Sequence, residues 1–461
     1  MKWFLSLITL MCATGADAQQ MLSLDSCRAM ALRNNKQLNI ARLKQDVAKN
    51  IRKAARTKYL PHVDAIGGYA HTSRELSILN GTQKYTLGNI GSIIGILDEQ
   101  TTAMVNQIGQ KVSDAFRTDT RNIYTASVMV RQPIYMGGSI TAANRIADIA
   151  EEMAANQAES SMQSTLYNID KAYWTVVSLR QKEKLANSFL KLVKKLDDDV
   201  AKMIKEGVAT RADGLKVSVK VNEAEMQLTQ VEDGLALSRM LLCQLCGMPS
   251  DSDIMLEDEG KNELATETAE TITDIKAAAQ NRPEVRMLQN AIDISKQTTK
   301  LLKAANLPQI ALTGGYLVTN PNLYNGFERK FSGMWNIGVL VRVPVWNWFE
   351  GAYRIRAGKT ATSIAVMELD EAEEKIELQI NQSMFRVKEA ARKLAMAKKN
   401  IERADENLRC ADLGFKEGVM QTTDVMEAQT AWLQAQSQKI DAEIDVKLSQ
   451  TDLKKALGEL K

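Results

Sequence analysis

The 461-residue chain carries 59 Lys and Arg against 56 Asp and Glu, a formal net charge of +3, which excludes a polybasic nucleic-acid-binding protein and an acidic tail. Its apolar share of 45% and charged share of 25% are those of a folded chain rather than a disordered one. Two histidines, His62 and His71, leave little for zinc sites or imidazole chemistry, and only seven prolines point to very long helices.

In chain order, residues 1–18 read as a cleaved targeting segment: Lys2, an apolar run over 3–12, then Ala16-Asp17-Ala18 as a small-x-small site. Cys12 follows Leu10-Met11 and so lies in the apolar core of that segment rather than in a lipid-anchor site. No other stretch reaches the roughly 18 apolar residues of a membrane helix. The exported chain is therefore either soluble or crosses a membrane as a β-barrel.

The remainder of the chain is duplicated. Ala31 through Pro61 matches Ala278 through Pro308 at a displacement of 247 residues, and the match runs on into Gly67-Gly68-Tyr69 and Gly314-Gly315-Tyr316. From Val130 to Gly247 the displacement is 211, pairing Val130-Arg131-Gln132-Pro133 with Val341-Arg342-Val343-Pro344 and Lys205-Glu206-Gly207-Val208 with Lys416-Glu417-Gly418-Val419. The difference leaves 36 extra residues in the first copy, within 72–122, expected as a polar loop with turn signals at Asn80-Gly81 and an apolar patch at 93–97. Repeat 1 spans 19–249, a non-periodic acidic linker 250–271, and repeat 2 spans 272–461.

Each repeat predicts helix, strand, loop, strand, long helix, tight turn and helix. The first helix is expected over about 28–58, the strand pair over about 61–134, and a helical hairpin over 138–247. The second copy gives 275–305, about 308–345, and 349–458. Apolar steps of four, three and four along Leu185, Phe189, Leu192 and Leu196 are coiled-coil-like. Around the prolines the period becomes two: Val63, Ala65, Gly67 and Tyr69 oppose His62, Asp64, Ile66 and Gly68. The long helix, at 1.5 Å per residue, would run ~100 Å, matching its two shorter flanking helices laid end to end.

Strands of about ten residues suit a tilted crossing of a bilayer, or one half-buried soluble sheet. In a membrane, four strands cannot close a barrel, because an open edge leaves backbone groups unsatisfied. Such a chain would have to oligomerise, two copies giving eight strands and three giving twelve. Cys243-x-x-Cys246 has the spacing of a redox or zinc pair, yet it lies in an apolar helical run without a second pair, and reads as small apolar filler beside Cys27 and Cys410. No GxSxG, Walker A, HExxH or Cys/His cluster appears, so no enzyme, cofactor or metal is expected.

In duplication, in the prolines that end the second and fourth strands, and in the turns Glu206-Gly207-Val208…Asp213 and Glu417-Gly418-Val419…Asp424-Val425-Met426-Glu427-Ala428, the chain resembles the TolC-type outer-membrane efflux family along nearly its whole length. The resemblance implies a mainly helical protein with membrane β: a homotrimer with a 12-stranded barrel, four strands per copy, above a periplasmic tunnel of coiled-coil-like helices. It implies an exit duct in the outer membrane of a Gram-negative bacterium. The partners would be a periplasmic adaptor and an inner-membrane pump of RND or ABC type, in drug efflux or, alternatively, type I protein secretion. A periplasmic coiled-coil adaptor is the competing class; it would carry one hairpin rather than two with strand pairs.

By the same resemblance, Gly207, Val208, Gly418 and Val419 form the periplasmic tip that meets the adaptor, and Asp213, Phe415, Asp424 and Glu427 the gate. The family's gating Arg is replaced here by Met420, with Arg211 or Lys416 as substitutes. Arg131 and Arg342 share a strand face with Ser127 and Asn336 and are expected to line the barrel lumen.

Overall fold

The structure, a computed structural model, describes residues 20–74, 79–116, 120–261, 275–322 and 328–460. The targeting segment expected over 1–18 lies outside them, as does 262–271 of the expected linker. In chain order, β1 (Gln20–Leu22) leads into α1 (Leu24–Asn34) and α2 (Lys36–Thr57). Then come β2 (His62–His71), the helices α3 (Gly81–Gly88), α4 (Ile90–Ile94) and α5 (Glu99–Ala115), and β3 (Asn122–Met136). The 67-residue α6 (Ser139–Lys205) is followed by α7 (Arg211–Cys246), β4 (Ile254–Leu256) and a 3-10 turn at Glu257–Gly260. The second half has α8 (Ile275–Gln280), α9 (Pro283–Ala304), β5 (Gln309–Asn320), β6 (Ser332–Arg342), the 67-residue α10 (Glu350–Lys416) and α11 (Thr422–Ala456).

Three expectations are corrected. The helices expected over 28–58 and 275–305 are each broken, at Asn35 and at Arg282, positions that correspond at the displacement of 247. Asn35 Oδ1 accepts from the N–H groups of Gln37 (2.9 Å) and Leu38 (3.2 Å), capping the new helix start. Pro283 opens α9, where its missing N–H is no loss. The extra residues of the first copy are not a plain loop, since 81–115 carries α3, α4 and α5. The Asn80 side chain caps α3 in a reciprocal box with Gln83, and Asp98 caps α5. The linker's first part is also ordered. β4 pairs in parallel with β1, and Glu259, 1% exposed, accepts from Arg239 (2.9 Å) and from the Leu256 N–H (3.2 Å). A carboxylate this deeply buried needs such partners, so polar composition there encoded docking rather than a tether.

The chain divides into two units. One comprises Met1–Lys49, Ala150–Ile292 and Ser363–Lys461. Its apolar core gathers side chains from α1, α6, α7 and β4, including Ile169, Tyr173, Val177, Leu242 and Ile254, with further clusters along the helical hairpins. Arg28 clasps Asp170, which is 0% exposed, through two hydrogen bonds of 2.7 and 2.5 Å.

The other unit comprises Asn50–Ile149 and Asp293–Thr362. It holds an antiparallel sheet of order β2-β3-β5-β6. The 15-residue β3 is longer than the expected ten because a bulge between Pro133 and Tyr135 lets it follow β5 past the proline. All ten residues of the edge strand β2 are exposed, whereas β5 in the middle of the sheet is mostly half-buried.

The turn from strand to long helix needs a left-handed backbone in both copies. In the first it is Gly137 and Gly138, with φ of 64° and 85°. In the second the corresponding residues are Trp348 and Phe349, with φ of 52° and 65°. Bulky side chains there carry strain of order 1–3 kcal/mol each. Trp346 stacks edge-on with both, centroids 5.8 and 5.3 Å apart, which offsets part of it. A Cβ on Gly137 would lie 2.5 Å from the Ala304 carbonyl oxygen, whereas one on Gly138 meets nothing within 4 Å. Both Gly→Ala changes should lower stability by the left-handed penalty of about 1–2 kcal/mol. Gly137→Ala should lower the thermal midpoint in detergent further, and equal midpoints would show that the Ala304 contact yields freely.

Candidate functional site: the helical turns and the strand faces

Two surfaces gather the residues singled out in the sequence. The first is the pair of turns between long helices. α6 ends at Lys205, and Gly207 takes a φ of 76°; α10 ends at Lys416, and Gly418 takes a φ of 70°. Glycine adopts this left-handed position after a helix without steric penalty, and nothing lies within 4 Å of where either Cβ would be. Val208 and Val419, next in the chain, are 71% and 81% exposed. Each turn therefore presents a bare backbone and one apolar side chain.

The carboxylates behind the turns have local tasks. Thr210 Oγ1 accepts from the Asp213 N–H (3.2 Å), and an Asp213 oxygen accepts from the Thr210 N–H (3.2 Å) and hydroxyl (2.6 Å), a reciprocal box at the start of α7. The Thr210 hydroxyl, then its N–H, and then Lys216 Nζ at 3.3 Å hold the Asp213 carboxyl below its ordinary range. Asp424 accepts from the Gln421 N–H (2.9 Å) at the start of α11, without a returning side-chain bond from Gln421. Asp424 and Glu427, three residues apart on α11, are both exposed.

Phe415 differs from its expected place in the gate. At 7% exposure it is packed among Phe189, Val193, Val217 and Val425, in the core that joins the two hairpins behind the turns. Its spacing from Gly418 suits a core position on α10 equally well. Met420 lies over Gly414, with Cγ and Sδ 3.0 and 3.1 Å from the site of a Gly414 Cβ. Lys416 is held by Asp412 at 2.6 Å, which raises its pKa and commits its charge to its own helix. Arg211 stands exposed at the first position of α7.

The second surface is the sheet. Its register puts Asp64, Ser127, Thr125, Arg131, Thr313, Asn336 and Arg342 on one face. The other face carries Val63, Ala65, Val128, Val130, Leu312, Ile337, Val339 and Val341, many more than half exposed. That apolar face also carries two cross-strand aromatic pairs, Tyr69 with Tyr124, whose rings are 5.0 Å apart, and Tyr316 with Trp335, level with Val128. A broad exposed apolar face carrying aromatics is a lipid-facing surface.

A sequence profile of outer membrane efflux proteins matches residues 28–248 and again 275–459. The chain belongs to the outer membrane efflux protein family. The double match agrees with the internal duplication. Among relatives, the chain is 22% identical to the outer membrane efflux protein BepC of Brucella suis over 345 residues, 74% of each chain. It is 21% identical to the outer membrane protein TolC of Vibrio cholerae over 350 residues, 74% of this chain and 77% of that one. The fold is that of solved channels. The outer membrane protein VceC of Vibrio cholerae superposes with a TM-score of 0.74 over 94% of this chain and 96% of its own, at 14% identity. The CmeC outer membrane channel of Campylobacter jejuni gives 0.73 over 95% and 86%, at 15% identity. The chain is thus an outer-membrane efflux channel extending into the periplasm, in a family of passive channels rather than enzymes. Channels of this type are trimers that work with adaptors and inner-membrane pumps.

The turn geometry has a measurable consequence. Replacing the capping Thr210 with Ala should lose about 1 kcal/mol locally, speeding amide exchange over 211–214 roughly fivefold. The start of α11, whose Gln421 makes no side-chain cap, should be unaffected by Gln421→Ala. Because the Asp213 pKa is lowered in the fold, the stabilisation it gives is complete above its unfolded pKa of ~3.9 and is lost as pH falls through the lower folded value. Exchange over 211–214 should therefore accelerate only in that acid window relative to Asp213→Asn; parallel profiles would remove Asp213 from the box.

Proposed function

We propose that the chain is the exit duct of a tripartite efflux system of the multidrug RND type. It would act as a homotrimeric passive channel whose periplasmic turns both meet the adaptor and close the tunnel. The carrying observation is the pair of glycine turns that leave Val208 and Val419 bare at corresponding points of the two repeats. Two equivalent apolar knobs per copy, flanked by exposed backbone, suit docking against the helical hairpins of an adaptor ring. Deleting the gene should sensitise cells to small toxic solutes while protein export continues; the reverse pattern would favour type I secretion.

Three copies supply twelve strands. β2 and β6 are the open edges of the sheet, and pairing β6 of one copy with β2 of the next satisfies their backbone groups. The apolar face then meets lipid and the polar face lines the lumen. An Arg on the lipid side would cost about 2–4 kcal/mol near the midplane, which favours the lumenal side for Arg131 and Arg342. The helical insert between β2 and β3 belongs to the extracellular side in this arrangement, where barrel connections can be long.

Six guanidinium groups would then ring the lumen. Arg131→Glu and Arg342→Glu should each shift ion selectivity in planar bilayers towards cations, and the double variant more. Unchanged selectivity in all three would place these residues away from the lumen.

At the tip, Asp424 and Glu427 would bring six carboxylates towards the axis of a trimer, where repulsion is relieved by divalent cations or basic partners. With Lys416 committed to Asp412, Arg211 is the basic group available to brace the closed state. Asp424→Ala with Glu427→Ala should weaken divalent block by roughly tenfold, with trimer assembly intact. Equal block and conductance in mutant and wild type would put the gate elsewhere.

A further inference from the structure

The fold gives Cys243-x-x-Cys246 a third member. Cys27 in α1, Cys243 and Cys246 in α7 are all 0% exposed and share one core. Cys246 Sγ lies 3.7 Å from the Cys27 carbonyl oxygen, which puts the two cysteines side by side where α1 meets the end of α7. Cys243 is turned aside, its Sγ 3.9 Å from the Ser252 carbonyl oxygen. The approach of α1 to the end of α7 is fixed independently of sulfur: Asn35 Nδ2 donates to the Leu245 carbonyl (3.0 Å), and β1, just before α1, pairs with β4, just after α7.

We propose that Cys27 and Cys246 form a disulfide in the exported protein, stapling the N-terminal helix to the end of α7. The periplasm is an oxidising compartment in which cysteines that the fold brings side by side are linked by thiol–disulfide exchange. Both sulfurs are buried in the finished fold, so the exchange takes place on the folding chain before this core closes. One thiolate attacks the disulfide of a periplasmic thiol:disulfide oxidase, forming a mixed disulfide and releasing one oxidase thiolate. The second cysteine, as its thiolate, then displaces the other oxidase sulfur. One S–S bond forms in the chain and one breaks in the oxidase. Two electrons and two protons pass from the chain's thiols to the oxidase, which leaves as a dithiol. The link joins residues 219 apart and leaves Cys243 and Cys410 as thiols.

The test uses the full-length protein from its native outer membrane. Cells are quenched in acid, the protein is denatured without reductant and alkylated with N-ethylmaleimide, and tryptic peptides are read by tandem mass spectrometry. The expected result is a cross-linked peptide joining Cys27 to Cys246, with one label each on Cys243 and Cys410, and four labelled sites after reduction. Four labelled sites without reduction, or a link at Cys243 instead, would overturn the proposal. In a Cys246→Ala chain Cys27 should become fully alkylated, and a Cys27 that stays blocked would overturn it equally.

Discussion

The structure is governed by the hydrogen-bonding demand of the backbone in lipid. A four-stranded sheet with an apolar face has two edges, β2 and β6, which pair with no further strand among the described residues. Each unsatisfied group in hydrocarbon costs several kcal/mol, so a lone copy is incompatible with the membrane. Closure by further copies removes both edges. The same demand explains why polar side chains of the strands concentrate on one face. One face must accept lipid while the other accepts water, and any slip of register would exchange them.

The helical part obeys a different constraint. Helices of 67 residues cannot be stabilised by propensity alone, and their stability comes from apolar stripes packed along their length. The buried residues Phe189, Val193, Leu196 and Val200 on α6 are spaced by steps of four, three and four and meet Val217 on α7 and Val425 on α11. Charge enters these helices mainly as solvent-facing pairs, which adjust solubility more than stability. Among the buried exceptions, Asp170 with Arg28 and Glu259 with Arg239 tie terminal or non-helical segments to the helices, and burial makes loss of either partner expensive.

The duplicated halves solve the same geometric problem with different residues. The left-handed turn into the long helix uses two glycines in one copy and an aromatic pair in the other. The aromatic copy accepts backbone strain and gains a cluster of three rings. The turns at the far ends of those helices keep glycine in both copies. There the bare backbone is itself the surface, and a side chain would cover it. The capping differs too, reciprocal at Thr210 and one-sided at Gln421, so the two turns are unequal in rigidity.

The sequence alone determined the duplication, the alternation of strand pairs with long helical hairpins, and the position of both glycine turns. These rest on local rules: periods of two and of 3.6, proline exclusion from helices, and the left-handed preference of glycine. It did not determine the helix breaks at Asn35 and Arg282, because a side-chain cap interrupts the backbone without interrupting the apolar pattern. Nor did it show that residues 254–260 dock or that 81–115 fold into helices, since polar composition describes both a tether and an ordered segment whose charges are paired. The family resemblance implied Phe415 as a gate residue, and only packing showed that it is buried beside Phe189 and Val425. The meeting of Cys27 with Cys246 and the cross-strand pairing of Tyr316 with Trp335 and of Tyr69 with Tyr124 were equally beyond reach. Both depend on chain segments far apart in sequence, and only tertiary packing and strand register bring such segments into contact.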